Sequence, residues 1–273
     1  MLTALYVPAN RPDRFAKAVA ASPDLVVFDL EDAVPVDDKA AARGWAIAWI
    51  AAFTGRTQVE VRVNALGTPW IADDLSALAA VPGARVRLPK VESADDIRRV
   101  LDQVPSARIT ALIESPLGLE RAFEIATADP RVVAVALGEA DLSSSLGVDG
   151  PEGLAWARGR LVSASRAAGL GAPMLSVYPF VNDEEGLRRS CLEGRALGFV
   201  GRSAIHPRQL APIVESFTPS ATQVADAAAL LAAVEKAGVV EGGVIVLPDG
   251  RMVDPAMLGR AREIVDLMSQ IDL

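Results

Sequence analysis

The sequence predicts an α/β fold: a (β/α)8 TIM barrel followed by a C-terminal helical arm or lid. Short β-branched runs alternate with longer Ala-, Leu- and Arg-rich stretches along most of the chain, and this alternation is typical of parallel β/α architecture. The length of 273 residues suits a barrel of roughly 250 residues with a short appendage. The rival open, doubly wound sheet requires a Gly-rich phosphate loop after its first strand, and Val7–Arg11 is not such a loop.

Eight apolar runs are predicted to be the strands of the barrel. Near-continuous runs such as Val132–Leu137 suit parallel strands that are buried on both faces. The runs are Thr3–Val7, Leu25–Leu30, Gln58–Val63, Arg85–Leu88, Ile109–Ile113, Val132–Leu137, Pro173–Tyr178 and Phe199–Ile205. Eight strands that alternate with helices favour a closed barrel over an open sheet.

Stretches of helical character lie between these strands. Ser93 stands three residues before Asp96, which is the pattern of an N-terminal capping box. Ser115 is followed by Pro116, and proline is favoured at a first helical position. The predicted helices are Pro12–Ala21, Asp38–Phe53, Ala72–Ala79, Ala94–Gln103, Leu117–Ala126, Glu152–Ala168 and Glu184–Leu197.

The pattern changes after the predicted barrel, and we expect two domains. Residues 1–214 form the catalytic barrel in this interpretation, and residues 215–273 form the C-terminal arm or lid. The elements predicted for the arm are a long helix over Pro219–Ala237, a hairpin over Gly242–Val253 with its turn at Asp249-Gly250, and a final helix over Pro255–Ile271.

Charge and composition exclude several classes of protein. The formal net charge of -8 argues against generic nucleic-acid binding, which requires a basic face. No apolar stretch approaches the roughly 20 residues of a membrane span, and Met1–Pro8 does not resemble a signal peptide. The single cysteine, Cys191, excludes an internal disulfide and fits a reducing compartment. We therefore expect a cytoplasmic protein with no nucleic-acid partner and no membrane partner.

Polar residues follow the predicted strands repeatedly. In a barrel, the carboxyl ends of the strands converge on one small space, which is where active sites lie. The polar strand ends are Asp29-Leu30-Glu31-Asp32, Arg62-Val63-Asn64, Lys90-Val91-Glu92, Glu114-Ser115, Glu139-Ala140-Asp141 and Ser203-Ala204-Ile205-His206. The sequence therefore predicts an acidic site that also contains an arginine and a lysine.

This set of residues predicts a site for a hard cation. Carboxylates without thiolates and with little imidazole suit Mg²⁺, with Mn²⁺ as a possible substitute, better than zinc. Glu114 and Asp141 are the predicted ligands because they follow adjacent strands and are able to approach one ion together. Glu139 is an alternative to either of them.

The strand ends resemble a known family. Motifs around Asp29–Asp32, Arg62, Lys90, Glu114, Asp141 and His206 come in the same order and at similar spacing, and Gly250-Arg251-Met252-Val253-Asp254-Pro255 in the arm extends the match over almost the whole chain. The chain is similar to the citrate lyase β-subunit group of the HpcH/HpaI aldolase superfamily, which includes malyl-CoA and citramalyl-CoA lyases. The resemblance implies a barrel with a C-terminal arm, in homotrimers that share the arm between subunits.

The resemblance also implies roles for individual residues. Glu114 and Asp141 match the Mg²⁺ ligands, Arg62 matches the arginine that contacts the substrate carboxylate and the developing enolate, and Asp254 matches an aspartate that a neighbouring subunit contributes to the site. The implied reaction is cleavage or formation of a 3-hydroxyacyl-CoA or acyl-carrier thioester, with a small oxo acid as the other product. We assign catalytic roles to Arg62, Asp254, Glu31 and Asp32, and substrate contacts to Arg62, Lys90, Asp29 and Asn64.

Alternatives remain open for several of these residues. Arg62 and Lys90 could each serve only in an ion pair with a barrel acid, and Asp254 could only cap the final helix ahead of Pro255. His206 is the single histidine, and a His-Pro pair after a strand more often forms a turn in which the ring bonds to the backbone. Cys191 lies in an amphipathic pattern and is expected in the core.

The sequence departs from the family at the start of the chain. Many relatives carry a basic residue just before the first strand, and Met1-Leu2-Thr3 contains none. Arg11, Arg14, Lys39 and Arg43 are the candidates to replace it in binding the phosphates of coenzyme A.

Three other functions compete with the acyl-CoA lyase. One is a citryl-carrier lyase subunit within a citrate lyase complex. Another is a CoA-independent class II pyruvate aldolase, which usually relies on a histidine after an early strand, whereas the single histidine here is His206. The last is a non-catalytic barrel, which the presence of Glu114, Asp141 and Arg62 disfavours.

Overall fold

The computed structural model of the protein describes residues 1–236, 245–246, 250 and 252–271. The chain divides into two compact units, Met1–Phe217 and Thr218–Leu273. Each unit has its own buried core, so they are described separately.

The first unit is built on eight parallel strands. They are β1 (Thr3–Pro8), β2 (Leu25–Asp29), β3 (Gln58–Arg62), β4 (Arg85–Leu88), β5 (Arg108–Ile113), β6 (Val132–Leu137), β7 (Met174–Leu175) and β8 (Gly201–Ala204). The hydrogen-bonded order is β6-β5-β4-β3-β2-β1-β8-β7, and the two end strands, β6 and β7, contact one another. The sheet thus curls into a nearly closed barrel, which confirms the predicted fold class.

Helices follow the strands around the barrel. They are α1 (Phe15–Ala20), α2 (Lys39–Ala52), α3 (Ile71–Ala79), α4 (Ala94–Gln103), α5 (Pro116–Glu120), α6 (Ala122–Ala126), α7 (Glu139–Leu146), α8 (Gly150–Gly153), α9 (Ala155–Ala167), α10 (Glu184–Ala196) and α11 (Leu210–Phe217). The predicted caps are confirmed: Ser93 and Asp96 form a capping box on α4, and the Ser115 side chain accepts the N–H of Gly118 at the start of α5.

Two differences from the predicted helices have local causes. The stretch predicted as one helix over Leu117–Ala126 is two helices, because Arg121 has φ -92° and ψ 10° and leaves the helical region between them. Helix α7 was not predicted, since it is short and contains three consecutive serines, which favour helix interiors only weakly.

Aromatic packing fixes the first helices against β2. The rings of Phe15 and Phe28 are stacked with centroids 4.1 Å apart, and Trp49 packs edge-on against Phe28 at 5.2 Å. Strand β2 is buried along its whole length, as expected for a parallel strand covered on both faces. The carboxyl end of β2, which carries the first acids of the site, is therefore held rigidly.

The interior of the barrel contains a polar network below the strand ends. Nε of Arg87 donates to a carboxylate oxygen of Glu60, and Nη1 of Arg87 donates to Oη of Tyr6 at 2.6 Å. Thr110 Oγ1 donates to the second oxygen of Glu60 at 2.8 Å. The buried charges of Glu60 and Arg87 thus satisfy one another, which is the condition for tolerating charge inside a protein.

The second unit contains helix α12 (Ala221–Lys236), strands β9 (Ile245–Val246) and β10 (Met252–Val253), and helix α13 (Pro255–Ile271). The two strands pair antiparallel, and Ala227, Leu230, Val253 and Ala261 form a buried cluster. Of the predicted hairpin turn, Gly250 has a positive φ of 81°, while Asp249 lies outside the described residues. In the described part of the chain, the helices are too short or too polar to cross a bilayer.

Substitution of two glycines by alanine should change stability in opposite directions. At Gly201 in β8, a Cβ atom would lie 2.2 Å from the carbonyl oxygen of Leu2, which accepts the backbone N–H of Arg202. We expect Gly201→Ala to lower the free energy of unfolding by about 1–3 kcal/mol. Gly159, inside α9, has nothing within 4 Å of that position, so Gly159→Ala should raise it by about 0.5–1 kcal/mol. Urea denaturation measures both, and equal midpoints for Gly201→Ala and the wild type would contradict the described β1–β8 contact.

Candidate active site

A cavity of about 470 Å³ lies at the carboxyl ends of the barrel strands. Its lining includes most of the acids predicted from the strand ends, namely Asp29, Asp32, Glu114, Glu139 and Asp141, together with Arg62. Glu31 and Lys90 lie beside it and contact these residues. The structure thus brings the predicted acids, arginine and lysine together, as expected for residues at the ends of parallel strands.

Arg62, the last residue of β3, is held by three acids from the end of β2. Its Nε and Nη2 donate to the two oxygens of Asp29 at 2.8 and 2.6 Å, and its Nη1 lies 3.0 Å from Glu31 and 3.2 Å from Asp32. Burial alone would lower the pKa of Arg62, but the hydrogen bonds and charge of Asp29 outweigh burial and raise it. The guanidinium is therefore permanently charged, and it also lies over the ring of Tyr6, 5.5 Å from its centroid.

Lys90 connects two acids of the site through different atoms. Its Nζ donates to Oε1 of Glu31 at 2.8 Å, and its backbone N–H donates to Oε2 of Glu114 at 2.8 Å. The backbone of Lys90 has φ 54°, a conformation that is uncommon for residues other than glycine and that clusters at functional sites. Burial raises the pKa of Glu31 despite the opposing charges of Arg62 and Lys90.

Glu114 is a buried carboxylate in a tightly confined position. Only 5% of the residue is exposed, and burial, followed by the charge of Glu31, raises its pKa to about 7. The backbone of Gly138 packs directly against it: a Cβ at Gly138 would lie 2.1 Å from Oε1 of Glu114. Glycine is therefore required at position 138, a constraint that the sequence analysis missed although Gly138 directly follows an apolar strand.

Glu114 and Asp141 fit a divalent cation. Both line the cavity, the charge of Asp141 contributes to the raised pKa of Glu114, and neither carboxylate forms a salt bridge with a described lysine or arginine. Among residues 1–236 and the other described positions, no three His, Cys, Asp or Glu side chains form a metal-binding group. Two carboxylates with the remaining positions left to water and substrate is an arrangement that Mg²⁺ commonly adopts.

Glu139 was considered as an alternative ligand, and its contacts disfavour this alternative. Its two carboxylate oxygens accept hydrogen bonds from Nε and Nη2 of Arg158 at 2.8 and 2.7 Å. Both oxygens are therefore engaged by a single arginine. This partner could not be predicted from the sequence, because Arg158 lies on α9, two helices further along the chain, with no motif around it.

The substrate contact of Asn64 stays a prediction, and the structure places this side chain in a buried network that disfavours it. Asn64 is 2% exposed; its Oδ1 accepts from Nζ of Lys39 at 2.6 Å, and its Nδ2 donates to Asp74 at 2.7 Å. Lys39 also donates to two backbone carbonyls, and Arg43 is bound to Asp74. Asn64, Lys39 and Arg43 thus tie α2 and α3 to the end of β3, so Lys39 and Arg43 are also unsuited to binding phosphate.

A second cavity of about 410 Å³ adjoins the first and is basic. We call it the basic groove, and its lining includes Arg11, Arg14, Lys17 and His206. It shares four lining residues with the acidic cavity: Tyr6, Pro8, Arg14 and Ile205. Tyr6 and Lys17 were not predicted to lie at a site, although Tyr6 is a polar residue near the carboxyl end of the first predicted strand.

The residues of the basic groove differ in the ion pairs and hydrogen bonds that they form. Arg11 is paired with Asp13 at 2.9 Å, whereas the side chain of Arg14 forms no ion pair with a described residue. The ring of His206 accepts the backbone N–H of Arg208 at 3.1 Å, so it serves the turn, as the His-Pro pattern indicates. Arg14 is thus the cation at the junction of the two cavities that remains available to a ligand.

Asp254 and Cys191 are the two remaining predicted positions, and each has local contacts within its own unit. Oδ1 of Asp254 accepts the backbone N–H of Met257 at 2.8 Å, so Asp254 caps α13 in the second unit, and its contribution to catalysis stays a prediction. Cys191 is a free, fully buried thiol on α10, in agreement with its expected place in the core.

The fold and the two cavities define a class: an α/β-barrel protein with a carboxylate pocket suited to a divalent cation, next to a groove suited to phosphate. The chain belongs to the HpcH/HpaI aldolase/citrate lyase family, whose model matches residues 2–207. This confirms the family predicted from the strand-end motifs.

Comparisons with individual proteins agree with this assignment. The chain is 37% identical over 263 residues to a (3S)-malyl-CoA thioesterase of Cereibacter sphaeroides, with 95% of this chain and 91% of the relative covered. It is 34% identical over 295 residues to an L-malyl-CoA/beta-methylmalyl-CoA lyase of the same organism, with 96% and 92% covered. The structure of CitE from Mycobacterium tuberculosis in complex with magnesium, acetoacetate and coenzyme A is similar at a TM-score of 0.81 and 34% identity, with 97% of each chain covered.

Gly138→Ala should disable the cation site without unfolding the barrel. The added methyl group would occupy the position of the Glu114 carboxylate, which must turn away from the cavity. We expect the affinity for Mg²⁺ to fall at least about tenfold, since one of two carboxylate ligands is lost. Isothermal titration with Mg²⁺ measures this, and Gly159→Ala is the matched control. Unchanged Mg²⁺ affinity in folded Gly138→Ala protein would show that Glu114 is not a ligand.

Proposed function

We propose that the protein is a Mg²⁺-dependent carbon–carbon lyase that cleaves or forms a 3-hydroxyacyl-CoA thioester, such as malyl-CoA or citramalyl-CoA, with an oxo acid and a short acyl thioester as the products. The observation that carries the proposal is the adjacency of the two cavities, which share Tyr6, Pro8, Arg14 and Ile205. The carboxylate-bearing end of the substrate fits the acidic cavity beside Arg62, and the phosphates of coenzyme A fit the basic groove.

Glu114 and Asp141 are the proposed Mg²⁺ ligands, supported by their shared cavity and by the absence of a salt bridge from either carboxylate to a described lysine or arginine. When bound, Mg²⁺ acts as a Lewis acid on the substrate oxygens and neutralises negative charge there. The Mycobacterium tuberculosis relative that was solved with magnesium and coenzyme A supports the same cofactor for this chain.

Arg62 is the proposed stabiliser of the enolate. In the cleavage direction, the substrate hydroxyl loses its proton, its oxygen becomes the carbonyl of the oxo acid, and the electron pair of the broken C–C bond passes to the thioester. Arg62 is fixed by Asp29 before the reaction begins, so its charge offsets this negative charge without reorganisation. Glu31 contacts the guanidinium, and Lys90 donates to both Glu31 and Glu114, so the two residues connect Arg62 with the proposed metal ligand.

Proton transfer is assigned to acids on two elements. Asp32 has a side chain that is 60% exposed and lines the acidic cavity, so it accepts the hydroxyl proton directly or through water. Asp254 of a neighbouring subunit is proposed to protonate the enolate carbon, in a homotrimer in which the second unit serves as the arm or lid.

The free thiol of Cys191 fits the proposed cytoplasmic location.

A cleavage assay tests the proposed reaction. Malyl-CoA and citramalyl-CoA are offered with Mg²⁺ or with EDTA, and the oxo acid, the acyl-CoA and free coenzyme A are followed by mass spectrometry. We expect Mg²⁺-dependent cleavage, with turnover lowered by about 10²–10³-fold in Arg62→Lys because the bidentate contact with Asp29 that orients the positive charge is lost. Free coenzyme A without oxo acid would indicate a thioesterase instead. No turnover of either substrate by protein that binds Mg²⁺ would contradict the proposal for free CoA thioesters.

Arg14→Gln tests the basic groove as the phosphate site. We expect the KM for the CoA thioester to rise about tenfold, since one charge-assisted contact to phosphate is lost, while kcat changes little. The KM for the N-acetylcysteamine thioester of the same acid, which has no phosphate, should not change. Arg98→Gln, on the surface of α4, is the control for loss of a positive charge. Equal effects on both thioesters would place Arg14 in the acidic cavity rather than at the phosphates.

Complementation between variants tests the shared arm. Glu114→Ala and Asp254→Ala should each be nearly inactive alone, because each site would lack one of two essential carboxylates. After the two proteins exchange subunits, sites with both residues intact should restore part of the activity, and size-exclusion chromatography with light scattering gives the mass of the assembly. Failure to regain activity despite verified exchange would show that Asp254 does not act in a neighbouring subunit.

A further inference from the structure

The third acid next to the proposed metal ligands is clamped by an arginine that does not line the cavity. Glu139 lines the acidic cavity with Glu114 and Asp141, whereas Arg158 on α9 is outside its lining. The pair is bidentate at 2.8 and 2.7 Å, and the two side chains are 15% and 8% exposed. The hydrogen bond to Glu139 is the main cause of the raised pKa of Arg158. An ion pair that is shielded from solvent and held by two hydrogen bonds therefore lies directly beside the site.

The pair acts on the segment that carries Asp141. Glu139 is the first residue of α7, two positions before Asp141. The first turn is closed by the N–H of Leu142, which donates to the carbonyl of Gly138 at 3.1 Å, and by Ser143 Oγ, which donates to the carbonyl of Glu139 at 2.7 Å. Because a bidentate contact fixes both the distance and the plane of the carboxylate, Arg158 fixes the start of this turn from outside the cavity.

Helix α9 is a rigid support for Arg158. Its residues Ala157, Leu161 and Ala164 are buried at 1%, 0% and 1% exposure, and the helix packs against β6 and α6. The guanidinium therefore projects from a fixed backbone. An unpaired Glu139 would add a third negative charge close to Glu114 and Asp141, where it could bind the cation itself or displace Asp141.

We propose that Arg158 is a positioning residue of the metal site: by binding Glu139, it keeps this carboxylate out of the coordination of the divalent cation and fixes the helix start that carries Asp141. The inference rests on the proposed Mg²⁺ site. It explains how a cavity with a third nearby acid presents two carboxylates to the ion and leaves the other coordination positions to water and substrate.

A double-mutant cycle on Arg158 and Glu139 tests this assignment by metal binding rather than activity. Arg158→Met frees Glu139, and Mg²⁺ should bind about fivefold more tightly because an uncompensated carboxylate attracts the cation. Glu139→Gln leaves the charge of Arg158 unbalanced, and Mg²⁺ should bind about fivefold more weakly. The double variant should return to within about twofold of the wild type, since the two effects cancel when both charges are removed. Isothermal titration gives these affinities.

Water-proton relaxation of bound Mn²⁺ gives an independent measure of coordination. We expect about one fewer coordinated water in Arg158→Met, because Glu139 takes its place, and the wild-type number in the double variant. Arg160→Met is the matched control: Arg160 lies on the same helix but donates to the backbone carbonyl of Glu120 at the surface. It should change neither the affinity nor the number of waters. Arg158→Lys, which keeps one charge but not the bidentate contact, replaces Arg158→Met if the latter fails to fold, and it should shift binding in the same direction by less.

Three outcomes would overturn the inference. Weaker Mg²⁺ binding in both single variants would show that the pair serves only the placement of α7 and does not keep Glu139 away from the cation. Loss of binding in Glu139→Gln that persists in the double variant would make Glu139 a ligand. Unchanged binding in all variants would remove any link between Arg158 and the metal. A wild-type protein that binds neither Mg²⁺ nor Mn²⁺ would instead refute the proposed metal site itself, and this inference with it, so the two failures are distinguishable.

Discussion

The buried carboxylate of Glu114 constrains the residues that follow three neighbouring strands at the mouth of the barrel. Its Oε2 accepts the backbone N–H of Lys90, which favours the left-handed backbone at that residue, and its Oε1 lies where a side chain at Gly138 would begin. One buried acid thus joins the ends of three neighbouring strands. The ammonium of Lys90 forms an ion pair with Glu31, and Glu31 forms an ion pair with Arg62. The main charged groups of the site are therefore connected by successive contacts.

The distribution of charge explains why so many acids are tolerated at one end of the barrel. Three arginines each neutralise an acid from another element: Arg62 with Asp29, Arg87 with Glu60, and Arg158 with Glu139. Pairing of this kind offsets the cost of taking charges out of water. The negative charge that remains unpaired within the described cavity is concentrated at Glu114 and Asp141, and this is the physical basis for a cation between them.

The sequence was sufficient for the barrel and for most residues of the pocket, because apolar runs reveal buried parallel strands and a barrel brings their carboxyl ends together. It was not sufficient for the partners of those residues. Arg62 is the last residue of β3 and Asn64 lies two positions after it, yet the Asn64 side chain contacts Lys39 and Asp74 instead of lining the cavity. The alternation of side chains along a strand does not continue beyond its end. Arg158 pairs with a residue 19 positions away, and periodicity carries no signal for a contact of that kind. The requirement for glycine at position 138 can be inferred only when the position of the Glu114 carboxylate is known.

The two named relatives from one organism, a thioesterase at 37% identity and a lyase at 34% identity, perform reactions that a single pocket of this type is able to support. Both names specify a malyl thioester of coenzyme A, which carries a carboxylate and phosphates, and the acidic cavity and the basic groove are proposed to bind groups of these two kinds. The two reactions diverge afterwards: a lyase must deliver a proton to carbon and keep water from the thioester carbonyl, whereas a thioesterase must admit that water. Asp32 lines the acidic cavity and its side chain is 60% exposed, so this side of the cavity is open to solvent. In the proposed reaction, cleavage without hydrolysis therefore requires a group other than Asp32 to keep water from the thioester carbonyl.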